Sequence, residues 1–318
     1  MELVYKRGPS RHPATLDSPK MSFSLCTNVS AQRRYNINRF RHHRSEFLRT
    51  TGVHEELDAY GARDNPYTYQ ILSGLVPTPL VGKVTSGVGP AWQMSDTFFT
   101  DFPKHNAPDR VLSSTKDSYI ICNIACHDKR LYTSDIDPSS TDRSAAAGMS
   151  YVHLLVISSS KLYNAVALSD SDAITEMRAH FLDFWNRDGS ISLIINAIHA
   201  AMERRYAEVA RAYQLQDSST ASERIAHLDV VMSGCRRSAA NFANILRASK
   251  NNVDLVFGFH PHPHHSIGHL HMHALLHDFE FRTYSTLEHD WKTIPFGAVE
   301  HVLDEESEPK VPGGWPLL

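Results

Sequence analysis

The chain has 318 residues, of which 42% are hydrophobic and 21% are charged, so it has enough apolar material for one large or two modest globular units. Its net charge of −3 argues against a protein that coats nucleic acid, because that role needs a surplus of Lys and Arg to displace counterions. A small anionic ligand needs only a local positive pocket. Extended nucleic acid is therefore not an expected partner.

The four cysteines are scattered, and only Cys122 and Cys126 are close in sequence. Their C-x3-C spacing matches neither a zinc knuckle nor a redox C-x-x-C pair, so we interpret all four as free thiols in a reducing compartment. Residues 1–20 lack an apolar core, and no later segment supplies the roughly 18 uncharged apolar residues that a membrane span needs. We expect a cytoplasmic protein with no membrane partner.

The N-terminal third has little periodicity. Residues 1–30 contain Pro and Ser and are predicted to be a flexible arm, whereas residues 31–110 form an N-terminal region whose fold the pattern leaves open. Within it, six arginines alternate with apolar residues over 33–49, which predicts a basic amphipathic helix. Its charged side is interpreted either as a solvated face or as a lip that faces phosphate.

The second half of the chain has clearer periodicity. Short apolar runs predict strands, and apolar residues at helical spacing predict helices, the first of them capped by Ser169-x-x-Asp172. This order of elements predicts an α+β fold with an antiparallel sheet and flanking helices. The predicted strands are 119–125, 151–157, 253–259 and 267–276, and the later two helices are 191–214 and 235–249.

Histidine is the outlier of the composition, since eight of the 20 copies lie between His260 and His277. In a strand, side chains alternate faces, so His269, His271 and His273 project to one side about 6–7 Å apart. A lone histidine is usually a core or surface residue, but three in strict alternation with apolar neighbours are costly unless the row has a use. Neutral imidazole is a nucleophile and its cation is a proton donor, which suits attack on phosphorus.

Residues 269–275 resemble the signature of the histidine-triad superfamily, His-φ-His-φ-His-φ-φ, at every position. Members of that family hydrolyse or transfer nucleotidyl phosphates. The resemblance implies that His271 is the nucleophile, that His273 contacts the phosphate or the leaving group, and that His269 helps to orient the nucleophile. Ser266 stands where family members commonly have a phosphate-contacting serine.

A second match lies in the strand that begins at His153, which resembles the first core strand of the family, His-φ-φ-Val-Ile-Pro-Lys-x-His. The strand agrees, whereas the turn after it has Ser158, Ser159 and Lys161 in place of the family's residues. The resemblance adds His153, Lys161 and His265 to Ser266 as candidate residues for binding substrate or phosphate.

The N-terminal region and the form Ser-φ-x-His-Leu-His-φ-His are similar to the scavenger mRNA-decapping branch of the family. That branch implies a catalytic domain, here residues 111–318, and a preceding domain that closes over a cap dinucleotide, often in a homodimer. The nucleobase of such a dinucleotide would need an aromatic side chain on which to stack. Trp92, Phe98 and Phe99 are available for it, but each is interpreted first as a core residue.

The run His-Pro-His-Pro-His-His over 260–265 is predicted to be extended, because a residue before proline avoids the helical region. It is interpreted either as a solvated loop or as part of a zinc or iron site, since histidines at i and i+2 of a strand can chelate one ion. Asp278 and Glu280 are close in sequence and could complete such a site. The candidate metal ligands are His264, His269, His271 and His273.

Three functions remain open at this point. The first is a hydrolase or transferase that acts on phosphoric anhydrides of a small nucleotide-like substrate through phospho-His271 and requires no cofactor. The second is a histidine-triad fold that uses a divalent metal to act on a small organic metabolite. The third is a binding module that has kept the strand without catalysis.

Overall fold

The structure is a computed structural model. It describes residues 22–54, 57–58, 99, 110–122, 129–133, 136, 152–215, 219–249, 253–265, 267–277 and 291–307. The side chains of residues 22–29, 129 and 132 are not described.

A six-stranded antiparallel sheet forms the centre of the fold, with the strand order β1-β2-β3-β5-β4-β6. Its formation confirms the predicted α+β class with an antiparallel sheet. The two central strands, β3 and β5, pair along most of their length. This pairing places His271 and His273 of β5 beside the apolar residues of β3. The strands are β1 Val111–Ser114, β2 Ser118–Cys122, β3 His153–Ser158, β4 Leu255–Phe259, β5 His271–Leu276 and β6 Ile294–Pro295.

The described residues include five α-helices, and the three helices predicted between β3 and β4 are all present. The third, α4, begins at Ala221 rather than at residue 235, because its apolar side continues through Leu228 and Met232. The predicted cap of α2 is wrong, because α2 begins one residue after Ser171 and the Asp170 carboxylate accepts the Asp172 N–H. The helices are α1 Ser22–Leu48, α2 Asp172–Asn186, α3 Ser190–Leu215, α4 Ala221–Ser249 and α5 Phe296–Ser307.

The main core lies on one face of the sheet, where the helices pack. Alternate residues of the central strands, such as Val156 and Met272, are fully buried there. Phe181 of α2 meets Phe257 of β4 edge to face, with ring centroids 5.2 Å apart. Because side chains alternate along a strand, burial of this set turns the intervening residues to the other face.

A smaller apolar layer covers the opposite face, which also carries the histidines. Leu155 is the cross-strand partner of His273, and Ile157 is the partner of His271, so these four side chains share one face. Phe99 packs on the same layer together with Tyr119 and other apolar residues of β2 and β3. The sheet therefore separates the helical core from the face that bears the site.

α1 is attached to this body. Arg44 is buried, and its guanidinium donates to the Val166 carbonyl oxygen at 2.7 Å and to the Glu306 carboxylate of α5 at 2.7 Å. Arg41 of α1 likewise pairs with Glu305 of α5. The domain boundary predicted at residue 30 falls inside α1, and most of the predicted 31–110 region lies outside the described residues. No helix among those described is both long and apolar enough to cross a membrane.

Candidate active site

The histidine row is divided between the end of a loop and the start of a strand. The regular β5 ladder begins at His271, whereas His269 makes a single bridge with Tyr163. The predicted strand over 267–276 is therefore too long at its N-terminal end. His269 is buried and its Nε2 donates to the Ser158 carbonyl oxygen at 2.8 Å, which fastens the start of β5 to the end of β3.

His271 has a defined tautomer. Its Nδ1 lies 2.7 Å from the His269 carbonyl oxygen, and because a carbonyl only accepts, Nδ1 must carry the proton. The pKa of His271 is lowered to about 4, chiefly by burial and also by the charge of Lys292, while the hydrogen bond to the His269 backbone opposes this shift. The ring is therefore neutral at pH 7, with its lone pair on Nε2, and the residue is only half-buried.

His273 lies deeper and is connected to β3. Its Nδ1 is 2.8 Å from Nε2 of His153, and its ring centroid is 4.1 Å from that of His260. Its Nε2 has no hydrogen-bond partner among the described residues. Burial, followed by the neighbouring histidines and Lys292, holds the pKa of His273 well below its usual range. A buried ring nitrogen without a partner is costly, and a ligand atom could satisfy it.

The His271 and His273 rings are near neighbours, with centroids 5.0 Å apart. Phe99 meets His271 edge to face at 5.0 Å, and its carbonyl oxygen accepts from the Tyr119 hydroxyl. Phe99 is therefore both part of the apolar layer and a wall of the site, while Trp92 and Phe98 lie outside the described residues. Exclusion of water on this side would strengthen charge interactions at the two histidines.

The His-Pro loop is folded against the body and is not a solvated loop. His265 is buried, and the Tyr163 hydroxyl lies 3.0 Å from its Nε2 and 3.4 Å from Nδ1 of His262. Nδ1 of His265 has no hydrogen-bond partner among the described residues. Phe47 of α1 stacks on Tyr163 with ring centroids 5.5 Å apart. α1 thus supports the loop that borders the triad.

Lys292 was not identified by the sequence analysis. It is half-buried, burial lowers its pKa, and its charge contributes to the low pKa values of His271 and His273. The next residue, Thr293, fixes this segment to β4 and the His-Pro loop, because its hydroxyl lies 3.2 Å from Nε2 of His260. A lone lysine in a segment of mixed polarity gives no signal in sequence, so only packing could reveal it.

Close approach of this segment depends on Gly258 of β4. A Cβ at that position would lie 2.6 Å from Cγ2 of Thr293 and 2.9 Å from the Ile294 carbonyl oxygen. Gly258 is the cross-strand partner of His273, so the segment passes over the sheet directly beside the triad. Because glycine has no Cβ, it allows the segment that carries Lys292 to lie against β4 beside the triad.

The other predicted site residues have different surroundings. Lys161 lies in the turn after β3, next to Leu162, whose carbonyl oxygen accepts the Leu270 N–H at 2.8 Å. His264 has ring contacts with His43 at 5.1 Å and with the exposed Trp291 at 5.0 Å. Ser266 lies outside the described residues, and its predicted contact with phosphate stays a prediction.

The predicted metal ligands do not form a cluster. Within the described part of the chain, no group of three or more His, Cys, Asp or Glu side chains could hold a metal ion. Nε2 of His269 donates to a backbone carbonyl oxygen, and so does Nδ1 of His271. Asp278 and Glu280, which were expected to complete the set, lie outside the described residues.

Comparisons of the chain with protein-family models, with curated proteins and with solved structures gave no match. The function of the site therefore rests on its geometry and on the resemblance of its motif.

Proposed function

We propose that the protein is a histidine-triad-type hydrolase or transferase that cleaves phosphoric anhydrides of small nucleotide-like molecules through a covalent phospho-His271. The observation that carries the proposal is the hydrogen bond from Nδ1 of His271 to the His269 carbonyl oxygen. It leaves the Nε2 lone pair on a neutral ring of a half-buried residue, which is the state that a nitrogen nucleophile requires.

In the first step, Nε2 of His271 attacks phosphorus. A P–N bond forms, the P–O bond to the leaving group breaks, and its electron pair leaves with the oxygen. The negative charge of a bound phosphate raises the pKa of His273 and so favours its protonated form. Its Nε2–H is then available to the leaving oxygen, while its Nδ1–H is donated to His153.

In the second step, water attacks the same phosphorus and the P–N bond breaks, which returns the electron pair to Nε2 of His271. His273 accepts the proton of the attacking water and loses it to solvent when the product leaves, so the enzyme returns to its starting state with a neutral His273. A different acceptor alcohol or phosphate in place of water would give a transferase. This reaction uses no metal or other cofactor.

Two features support phosphate as the reacting group. Lys292 supplies a positive charge beside His271 and His273, and electrostatic stabilisation of this kind often contributes more than any other effect to catalysis at phosphorus. The apolar layer with Phe99 shields one side of the site. The resemblance to the scavenger mRNA-decapping branch adds cap-type dinucleotides to the substrates that should be tried.

Trapping of the covalent intermediate tests the proposal. The full chain is mixed with a dinucleoside triphosphate or with a nucleoside 5′-phosphoramidate, quenched in alkali, and analysed by intact and peptide mass spectrometry. We expect a nucleoside monophosphate adduct on His271. The His271→Ala variant should form no adduct and should turn over several orders of magnitude more slowly, while its circular dichroism matches the wild type.

Absence of both adduct and turnover with every such substrate would sink the proposal. The metal-dependent alternative is tested separately by elemental analysis of protein purified without a polyhistidine tag. Stoichiometric zinc or iron that is lost when His269 or His273 is changed to Ala would favour an enzyme acting on a small organic metabolite instead.

A further inference from the structure

Arg39 differs from the next three arginines in the sequence. Arg41, Arg44 and Arg49 are each paired with a glutamate. Arg39 has no carboxylate partner among the described residues. It is half-buried, its guanidinium donates to the Thr293 carbonyl oxygen at 3.2 Å, and the ring of Tyr35 is 6.0 Å away. A guanidinium has five N–H donors, so most of them remain available to a ligand.

Arg39 donates to the carbonyl oxygen of Thr293, the residue after Lys292, and the His264 ring packs against Trp291, the residue before it, with ring centroids 5.0 Å apart. Arg39, His264 and Lys292 therefore form a row beside α1. The pKa of His264 is lowered chiefly by burial, and the charges of Arg39 and Lys292 lower it as well. Lys292 also lowers the pKa of His271 and of His273, whereas Arg39 is not among the causes of either shift. These effects on pKa agree with Lys292 being nearer to the triad than Arg39 is.

The charges along this row are not balanced by described residues. Neither Arg39 nor Lys292 has an ion pair with a described carboxylate, and the lowered pKa of His264 favours its neutral form. His265, which is buried in the same region, has an Nδ1 with no hydrogen-bond partner among the described residues. Two partly desolvated cations with no counter-charge among the described residues are unfavourable, and a bound anion would relieve this cost.

We propose that Arg39, His264 and Lys292 form a second anion subsite, which holds the phosphates on the leaving-group side of the phosphorus attacked by His271. The inference rests on the proposed function for the position of that phosphorus. The ligand class is a chain of two or more linked phosphates. A single phosphate would occupy the triad alone, whereas a chain would extend past Lys292 to the guanidinium, which recognises phosphate through two N–H donors.

The test compares phosphate chains of different length. Binding of inorganic orthophosphate, pyrophosphate and tripolyphosphate to the full chain is measured by titration calorimetry, without any catalytic step. We expect tripolyphosphate to bind about tenfold or more tightly than orthophosphate, and Arg39→Gln to remove most of this gain while orthophosphate affinity changes less than about twofold. Arg39→Lys should keep part of the gain.

Arg41→Gln is the matched control, because Arg41 lies on the same helix and pairs with Glu305 at the surface. It should leave all three affinities unchanged, as should Lys116→Gln on the exposed β1–β2 turn. Equal weakening by Arg39→Gln and Arg41→Gln, or loss of orthophosphate and tripolyphosphate affinity in the same proportion in Arg39→Gln, would overturn the subsite. Thermal unfolding of each variant shows whether it is folded.

The two proposals fail differently. If the length-dependent gain disappears in Arg39→Gln but no phosphohistidine is trapped with any substrate, the subsite stands and the catalytic role of His271 falls. If phosphohistidine is trapped but affinity does not depend on chain length, the catalytic proposal stands and the subsite is overturned.

Discussion

The Nδ1 atom of His271 donates to the carbonyl oxygen of His269 across 2.7 Å. This contact within one segment of the backbone fixes both the tautomer and the orientation of the ring. The proposed nucleophile is thus oriented by the backbone just before its own strand, without any substrate or general base.

The first prediction concerns the pH dependence of the nucleophile. Because the pKa of His271 is lowered to about 4, the reactive neutral form is fully populated near neutrality and is lost only as the pH falls through about 4. The single-turnover rate of phosphohistidine formation should therefore show no acid limb near the ordinary histidine pKa of about 6.5. It is measured by rapid quench from mildly acidic to mildly alkaline pH, with fluorescence used to confirm that the protein stays folded. An acid limb centred at the ordinary histidine pKa would contradict the assignment.

The second prediction concerns His153 as a positioning residue. His153→Ala removes the hydrogen bond to Nδ1 of His273, which steadies the charged ring during leaving-group departure. We expect kcat to fall by about tenfold to a hundredfold with a much smaller change in KM, as for a lost hydrogen bond to a charged group. His153→Gln, which retains a side-chain oxygen that can accept this hydrogen bond, should recover part of kcat. A change confined to KM would show that His153 acts on binding instead.

The third prediction uses two glycines. Gly258→Ala places a Cβ against Thr293 and Ile294, so the segment that carries Lys292 must move. We expect about 1–3 kcal/mol of destabilisation and a loss of phosphate affinity. Gly297→Ala in α5 is the control, since its Cβ would meet nothing within 4 Å and alanine favours helix. Urea unfolding and phosphate titration of both variants check this, and equal behaviour of the two would contradict it.

The fourth prediction is a loss of stability in mild acid. The folded-state pKa values of His262 and His271 are lowered from 6.5 to about 4, chiefly by burial, so the unfolded state binds more protons between these values. This contribution to the free energy of unfolding is fully present above the unfolded pKa. It should fall as the pH drops toward the folded pKa, by up to about 1.4 kcal/mol per pH unit for each such proton.

Urea unfolding at neutral pH and at two mildly acidic pH values measures this slope. His262→Asn should make the slope shallower, because one of the depressed groups is removed. His227→Gln on the exposed side of α4 should leave it as it is. A slope that is the same in His262→Asn and in wild type would show that burial of this loop does not control the acid response.

Features that depend on neighbours in sequence were predicted well. The apolar runs of β2 and β3 and the helical spacing of α2 and α3 were identified to within a few residues, because periodicity follows directly from strand and helix geometry. The start of β5 was placed too early, since His269 has the alternation of a strand residue but, within the described part of the chain, makes an isolated β-bridge with Tyr163 and is not part of the regular ladder. The start of α4 was placed too late, because polar residues interrupt its apolar side.

The sequence by itself determined the α+β class and the alternating row of histidines, both of which arise from local repeats. Only the tertiary structure decided which groups surround His271 and His273. His153 reaches His273 across 120 residues, and Arg39 reaches Thr293 across 254. Lys292 lies in a segment that can pack beside the triad because Gly258 has no Cβ. Such partners depend on how distant elements pack, and a side chain's own sequence neighbours do not specify that.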